Sequence, residues 1–191
     1  VDIVIVGVKA WQVAEAAQSM LPLVGPGTGL LALQNGVDAP TQLGEVLGAE
    51  HVLIGLLNLR SFLVGPGHVR HVFDSYPNLQ LGEVDNRPSQ RAENLRDAFE
   101  ATGLSVVIFP DIQAGLWETF AWDCYSAGIP TLCRCPTGVW REQPHLRRLA
   151  EAAGLEAVAI AKARGVAVSG DLMERFSRII DELAETAKPS M

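Results

Sequence analysis

Positive charge is the first thing this chain is short of. Its 191 residues carry 15 Lys and Arg against 22 Asp and Glu, a formal net charge of −7 at pH 7. That balance argues against a sequence-independent nucleic-acid binder, which needs a basic surplus to meet phosphates. Cysteine is scarce too. Cys124, Cys133 and Cys135 are odd in number and closely spaced, which does not suggest a disulfide framework. A zinc reading of Cys-Arg-Cys needs two more ligands, and histidines 51, 68, 71 and 145 do not supply them at suitable spacing. No metal is therefore expected, and the thiols are expected to be reduced and structural. The apolar runs are too short to span a bilayer, broken by Gly-Pro-Gly, Gln-Asn-Gly, or Asn58 and Arg60. No basic stretch followed by a short apolar core suggests a secretion signal, so the expected address is the cytoplasm.

A phosphate-cradling glycine loop is also missing. The opening VDIVIVGVKAWQVAEAA has the outline of a nucleotide-binding strand and helix. A dinucleotide fingerprint needs three glycines: for the tight turn, for close approach to the pyrophosphate, and for helix–strand packing. With Gly7 as the first, the other two positions hold Lys9 and Gln12, whose side chains would fill the space the pyrophosphate needs. GPGTG (25–29) and GPGH (65–68) miss the third glycine as well, and both precede strand-like runs.

What is present is a folded globule, with 48% hydrophobic and 19% charged residues. Residues 1–110 alternate strand and helix signals and read as α/β. DIVIVGV and GLLALQNG look like strands buried on both faces. Between them Trp11, Ala14, Ala17 and Leu21 keep helical spacing. A short helix is predicted from about Thr41, then a long strand HVLIGLLNLRSFL, the strands VRHVF and LQLGEV, a helix over 88–102 and the strand LSVVIFP. From Asp111 the period becomes helical, with Pro110 at the boundary and residues 111–191 as a helical domain. Asp171 is the expected cap of the last helix. An α/β half followed by a helical half is an arrangement in which a site lies between domains.

Three places carry candidate chemistry. Lys9 follows the first strand, at the end where open α/β sheets bind ligands, and Asn35 follows the second within Gln34-Asn35-Gly36. The alternatives are a solvated lysine and an ordinary Asn-Gly turn. In LWETFAWDCYSAG, residues Thr119, Trp122, Asp123 and Ser126 share one face, either lining a pocket or facing water. Trp117, Phe120, Ala121, Cys124 and Gly128 form the neighbouring face, read as core. His68 and His71 fall three apart on a strand, point to opposite faces, and do not pair as ligands.

Taken in order, VKAWQV, LALQNGV, GPGHVRH, LGEV, DIQAGLWETF and RCPTGVWRE resemble the 2-dehydropantoate 2-reductase (ketopantoate reductase) family over nearly the whole chain. The resemblance implies a partial Rossmann-like nucleotide domain followed by an all-helical domain of the 6-phosphogluconate-dehydrogenase C-terminal type. It implies NADPH as cofactor, reduction of a 2-oxo acid, and a place in pantothenate biosynthesis. It places the opening strand later in the Rossmann domain, with the fingerprint glycines upstream of Val1. Lys9 and Asn35 match positions on the nicotinamide side, with Gln12 and Gly36 beside the cofactor. Asp123, Ser126 and Ser190 match the substrate side.

The family's pattern is not followed everywhere. Its catalytic lysine in LWxK is here Thr119 of LWET, and Asp123 stands where the family usually has a neutral residue. The family's glutamate would fall beyond Met191. The chain starts with Val and not Met, which leaves open a fragment, a processed form or the ordered part of a longer protein. Two readings follow. In one, the chain is part of an NADPH-dependent reductase in which Lys9 delivers the proton. In the other, the fold is repurposed as a non-redox enzyme, such as a cyclase or isomerase, or as a small-molecule-binding protein without cofactor. Pairing with a second copy in a homodimer is one way to cover an exposed sheet edge.

Overall fold

The computed structural model describes residues 1–189, and of residues 60 and 72–75 the backbone alone. The chain divides into two compact units, Val1–Gln113 and Ala114–Met191.

The first unit is a five-stranded sheet in the order β1-β2-β3-β4-β5. β1 (Ile3–Val6), β2 (Gly29–Ala32) and β3 (Val52–Gly65) run parallel. β4 (His68–Glu83) returns antiparallel to β3, and β5 (Val106–Ile108) pairs parallel with β4. Helices α1 (Val13–Met20) and α2 (Ala39–Leu47) join the parallel strands, and α3 (Gln90–Glu100) joins β4 to β5. The run GLLA is apolar throughout because both faces are covered. Leu30 and Ala32 pack in one cluster with Val13, Ala17 and Leu43. Leu31 points the other way, into a cluster with Leu53, Leu79, Leu81, Leu95 and Val106. The fold is therefore the Rossmann-like α/β arrangement expected from alternating strand and helix signals.

The helical face of α1 differs from the predicted one. Val13 and Ala17 are fully buried, whereas Trp11 is 81% exposed and Leu21 is 49% exposed. The cause is a 3-10 turn over Ala10–Gln12 that sets the phase of the helix after it. α2 starts at Ala39, two residues before the predicted Thr41, because Pro40 suits the first helical turn. The two strands predicted from VRHVF and LQLGEV are one strand, β4. It passes Pro77 opposite a register shift between Leu57 and Leu59, where Asn58 Nδ2 donates to the Pro77 carbonyl at 2.8 Å.

The second unit is helical: most of α4 (Ile112–Ser126), then α5 (Gly128–Cys133), α6 (Thr137–Glu142), α7 (Pro144–Ala163) and α8 (Leu172–Glu182). Its core gathers Tyr125, Trp140, Ala157, Leu172, Phe176 and Ile180. Tyr125 meets Trp140 edge-on, with ring centroids 6.0 Å apart. Asp171 does precede α8, but its carboxylate makes no cap bond to the helix backbone. It accepts the Ser169 hydroxyl and lies 3.5 Å from Arg175 Nε instead. Among the described residues, no helix is long and apolar enough to cross a membrane.

One charge pair, a half-buried guanidinium on a buried carboxylate, holds the end of β4 to the start of α3. Glu83 is 7% exposed and accepts Arg91 Nε at 2.7 Å, Arg91 NH2 at 2.5 Å and the Ser89 hydroxyl at 2.5 Å. Ser89 Oγ in turn accepts the Ala92 N–H at 3.1 Å, the helix cap, and Arg91 also donates to the Glu50 carbonyl at 2.7 Å. Removing the guanidinium strands a carboxylate that the fold has taken out of water. Arg91→Ala is expected to lower the unfolding free energy by about 3 kcal/mol, read as a lower urea midpoint at unchanged slope. An unchanged midpoint would show that water reaches Glu83 freely.

Candidate functional site

In the first unit, the site begins where β1 and β2 end. Their last paired residues are Val6 and Ala32, so the turns that follow leave the sheet at the same level. Open α/β sheets bind ligands outside these carboxyl ends. Lys9 lies in one turn and Asn35 in the other, and both are exposed. Lys9 is held at its backbone: its N–H donates to Gln12 Oε1 at 3.1 Å, and its carbonyl accepts the Gln12 N–H at 2.8 Å. Gln12 thus turns its side-chain oxygen toward the Lys9 turn and leaves its Nε2 donors for a ligand. Gly36 has φ +96°, a conformation that favours glycine, and open space where a Cβ would be.

Gln34 was not among the residues the spacing singled out, and it joins the two turns. Its Nε2 donates to the Val6 carbonyl at 2.7 Å and to the Val8 carbonyl at 2.9 Å. Trp11, which the spacing places on a helix, lies in the 3-10 turn between Lys9 and Gln12 and stands exposed.

In the second unit, the candidates lie on α4. None of its residues in this unit is exposed, so the predicted choice between a pocket face and a water face is too simple. Trp122 packs with the core, 5.2 Å centroid to centroid from Phe176 and edge-on to it. Thr119 and Asp123 are half-buried one helical turn apart, with Ser126 half-buried beyond. The Thr119 hydroxyl donates to the Gly115 carbonyl at 2.9 Å, so its proton is engaged by its own helix. Burial raises the Asp123 carboxyl from 3.8 to about 6, because desolvation penalises its charged form. Burial also raises the neighbouring Cys124 thiol, with help from the negative charges of Asp123 and Glu156.

Glu118, one residue from Thr119, is committed elsewhere. It accepts the Ser169 N–H and Arg175 NH2, both at 2.8 Å, tying α4 to the start of α8. Ser190, the remaining expected substrate contact, lies outside the described residues. Cys124, Cys133 and Cys135 are all free thiols, and Cys133 is exposed. No cluster of three His, Cys, Asp or Glu side chains able to hold a metal occurs among the described residues.

Two family models match the chain, described as ketopantoate reductase PanE/ApbA over residues 1–86 and its C-terminal counterpart over residues 111–191. The chain is 27% identical over 169 residues to a 2-dehydropantoate 2-reductase from Nostoc, covering 86% of this chain and 52% of that protein. It is 29% identical over 178 residues to a 2-dehydropantoate 2-reductase from Halobacterium salinarum, covering 93% and 58%. The crystal structure of 2-dehydropantoate 2-reductase from Geobacter metallireducens superimposes with a TM-score of 0.87 at 30% identity, covering all of this chain and 63% of that one. The chain thus spans between half and two thirds of the length of these relatives. With both family models matched in order and the fold shared, the chain belongs to the ketopantoate reductase family.

Proposed function

We propose that this chain is part of an enzyme that reduces a 2-oxo acid, ketopantoate or a relative, with NADPH. The observation that carries the proposal is the pair of tied turns at the carboxyl edge of β1 and β2, with Lys9 on one and Asn35 on the other. These residues fit the nicotinamide end of such a cofactor. Lys9 and Asn35 are exposed polar groups, and Gly36 leaves open the space that a Cβ would take. Gln12 adds its Nε2 donors. When bound, the cofactor supplies the hydride.

The chain's own residues then have to manage a developing negative charge. Hydride addition to a ketone leaves an alkoxide, which needs a positioned proton donor and fixed hydrogen bonds. Thr119 is a poor donor, since its hydroxyl proton already binds the Gly115 carbonyl. The Lys9 ammonium is the acid in this proposal, and Asn35 supplies a neutral hydrogen bond. In the second unit, Asp123 and Ser126 contact the substrate. Protonated Asp123 donates a hydrogen bond as a neutral residue would, while its carboxylate repels an anionic 2-oxo acid.

Titrating NADPH into the purified protein should raise the fluorescence of bound nicotinamide to saturation, and Lys9→Ala should cut 2-oxo acid turnover on the order of 100-fold. A folded protein with no saturable binding would retire the redox reading in favour of the non-redox one.

Asp123 gives a second test through pH. Its folded value of about 6 lies above its ordinary 3.8. The linked stability is therefore full below pH 3.8 and is lost as pH rises through about 6. Asp123→Asn should be more stable than the parent at pH 7.5 by about 1–2 kcal/mol after allowing for partial exposure, with the difference closing near pH 4. Turnover of a 2-oxo acid should also fall above pH 6 in the parent and not in Asp123→Asn. A stability difference that is the same at both ends of the pH range would remove the raised carboxyl from the account.

A further inference from the structure

We infer that Gln34 is a positioning residue: it holds the Lys9 turn and the Asn35 turn in the one arrangement that lets both act on the same ligand. The inference rests on the reading of Lys9 and Asn35 given above. Backbone pairing between β1 and β2 ends at Val6 and Ala32. Beyond that point nothing in the sheet ladder fixes the spacing of the two turns. Gln34 bridges them across 28 residues of sequence, with Nε2 2.7 Å from the Val6 carbonyl and 2.9 Å from the Val8 carbonyl. A primary amide nitrogen has two hydrogens, and both are used. Val8 is the residue before Lys9, and Gln34 is the residue before Asn35. The side chain therefore couples the immediate neighbours of both candidate groups.

The other end of the same amide argues that this is not a stability device. Gln34 Oε1 is buried and accepts no hydrogen bond from any of the described residues. A buried unpaired acceptor is a cost, so the fold gives up stability to keep this amide where it is. An apolar residue of similar size removes that orphan acceptor, leaves the exposed Val8 carbonyl to water and takes a donor from the part-buried Val6 carbonyl, so the gain and the loss offset each other. Lys9 is secured from its other side by Gln12, so loss of Gln34 frees one end of the turn without unfolding it.

The test uses three substitutions in the purified protein. Gln34→Leu removes both donors. Gln34→Glu keeps the shape but sets acceptor oxygens against two carbonyl oxygens. Gln34→His keeps one ring N–H at comparable reach. The first two should lower kcat/KM for 2-oxo acid reduction on the order of 100-fold, the scale of a misplaced catalytic group. The thermal midpoint should be little changed in Gln34→Leu and lowered at neutral pH in Gln34→Glu, whose carboxylate faces two carbonyl oxygens. Gln34→His should recover a substantial part of the loss. Activity of Gln34→Glu, taken as a ratio to the parent at each pH, should rise as pH falls and the introduced carboxyl regains a donor.

Hydrogen exchange provides an arm that needs no catalysis. Backbone amides over residues 8–12 and 35–37 should exchange faster in Gln34→Leu, while amides of α2 and α3 stay unchanged. If the parent shows no reductase activity, the reading of the reaction fails, and the exchange arm alone decides the positioning role. Unchanged exchange in the two turns, or faster exchange spread over the whole first unit, would overturn the inference. So would full activity in Gln34→Leu.

Discussion

The in-register parallel pairing of β1 with β2 is the constraint on which the candidate edge depends. Ile3 pairs with Gly29 and Val6 with Ala32, so both strands end level and both turns start level. Glycine at its first position leaves room for neighbouring side-chain ends: a Cβ on Gly29 would lie 2.8 Å from Ile3 Cδ1 and 3.1 Å from Leu53 Cδ1. Gly55 repeats the device on β3, where a Cβ would fall 2.6 Å from Leu33 Cδ2. Neither glycine sits in a turn. Each gives up a side chain so that flanking leucines and isoleucines can close over the sheet. A one-residue slip between β1 and β2 would send Leu30 and Ala32 to the face that Leu31 now fills, and would separate the levels at which Lys9 and Asn35 emerge.

The strands were the most legible part of the chain. GLLALQNG is apolar without alternation because α1 and α2 cover one face of β2 and α3 covers the other, whereas DIVIVGV, expected to be buried on both faces, forms the edge strand β1 and leaves Ile5 52% exposed. Burial on two faces writes itself into composition. Phase around a helix is less well written. Trp11, Ala14, Ala17 and Leu21 keep helical spacing as well as Val13, Ala17 and Met20 do, and only the 3-10 turn at Ala10–Gln12 decides between them. That turn is set by the hydrogen bonds between Lys9 and Gln12, which no hydrophobic period records. Nor does any period record that β4 continues through Pro77, where the β3 register shifts and the Asn58 side chain donates to the Pro77 carbonyl.

The placement of Lys9 and Asn35 just past neighbouring strand ends was legible from the two apolar runs that precede them. Gln34 was not, because in a Gln-Asn-Gly turn it looks like punctuation. Its partners, Val6 and Val8, are more than twenty residues away and offer only backbone carbonyls. Side-chain identity carries no trace of such a bond. Glu118 shows the same limit. Its bonds to the Ser169 N–H and to Arg175 cross some fifty residues of sequence and show it to be a tie between helices.

Helix α4 shows why residue type and spacing do not settle chemistry. Thr119 and Asp123 are one turn apart, as the periodicity predicts, but their protons are in opposite conditions. The Thr119 proton is engaged by a carbonyl four residues back, within the same helix, at any pH. The Asp123 proton is held by burial, and it is released only when the cost of a half-buried carboxylate is overcome, near pH 6. Of the two, Asp123 alone can change its charge and its hydrogen-bond polarity within the range where cells work. This position is thus filled by a side chain that is neutral under mildly acidic conditions and anionic above them. If the substrate is an anionic 2-oxo acid, this helix favours it in proportion to the protonated fraction. If the substrate is neutral or cationic, the same carboxylate favours it at the higher pH. The sign of the pH dependence therefore reports the charge of the molecule this helix meets.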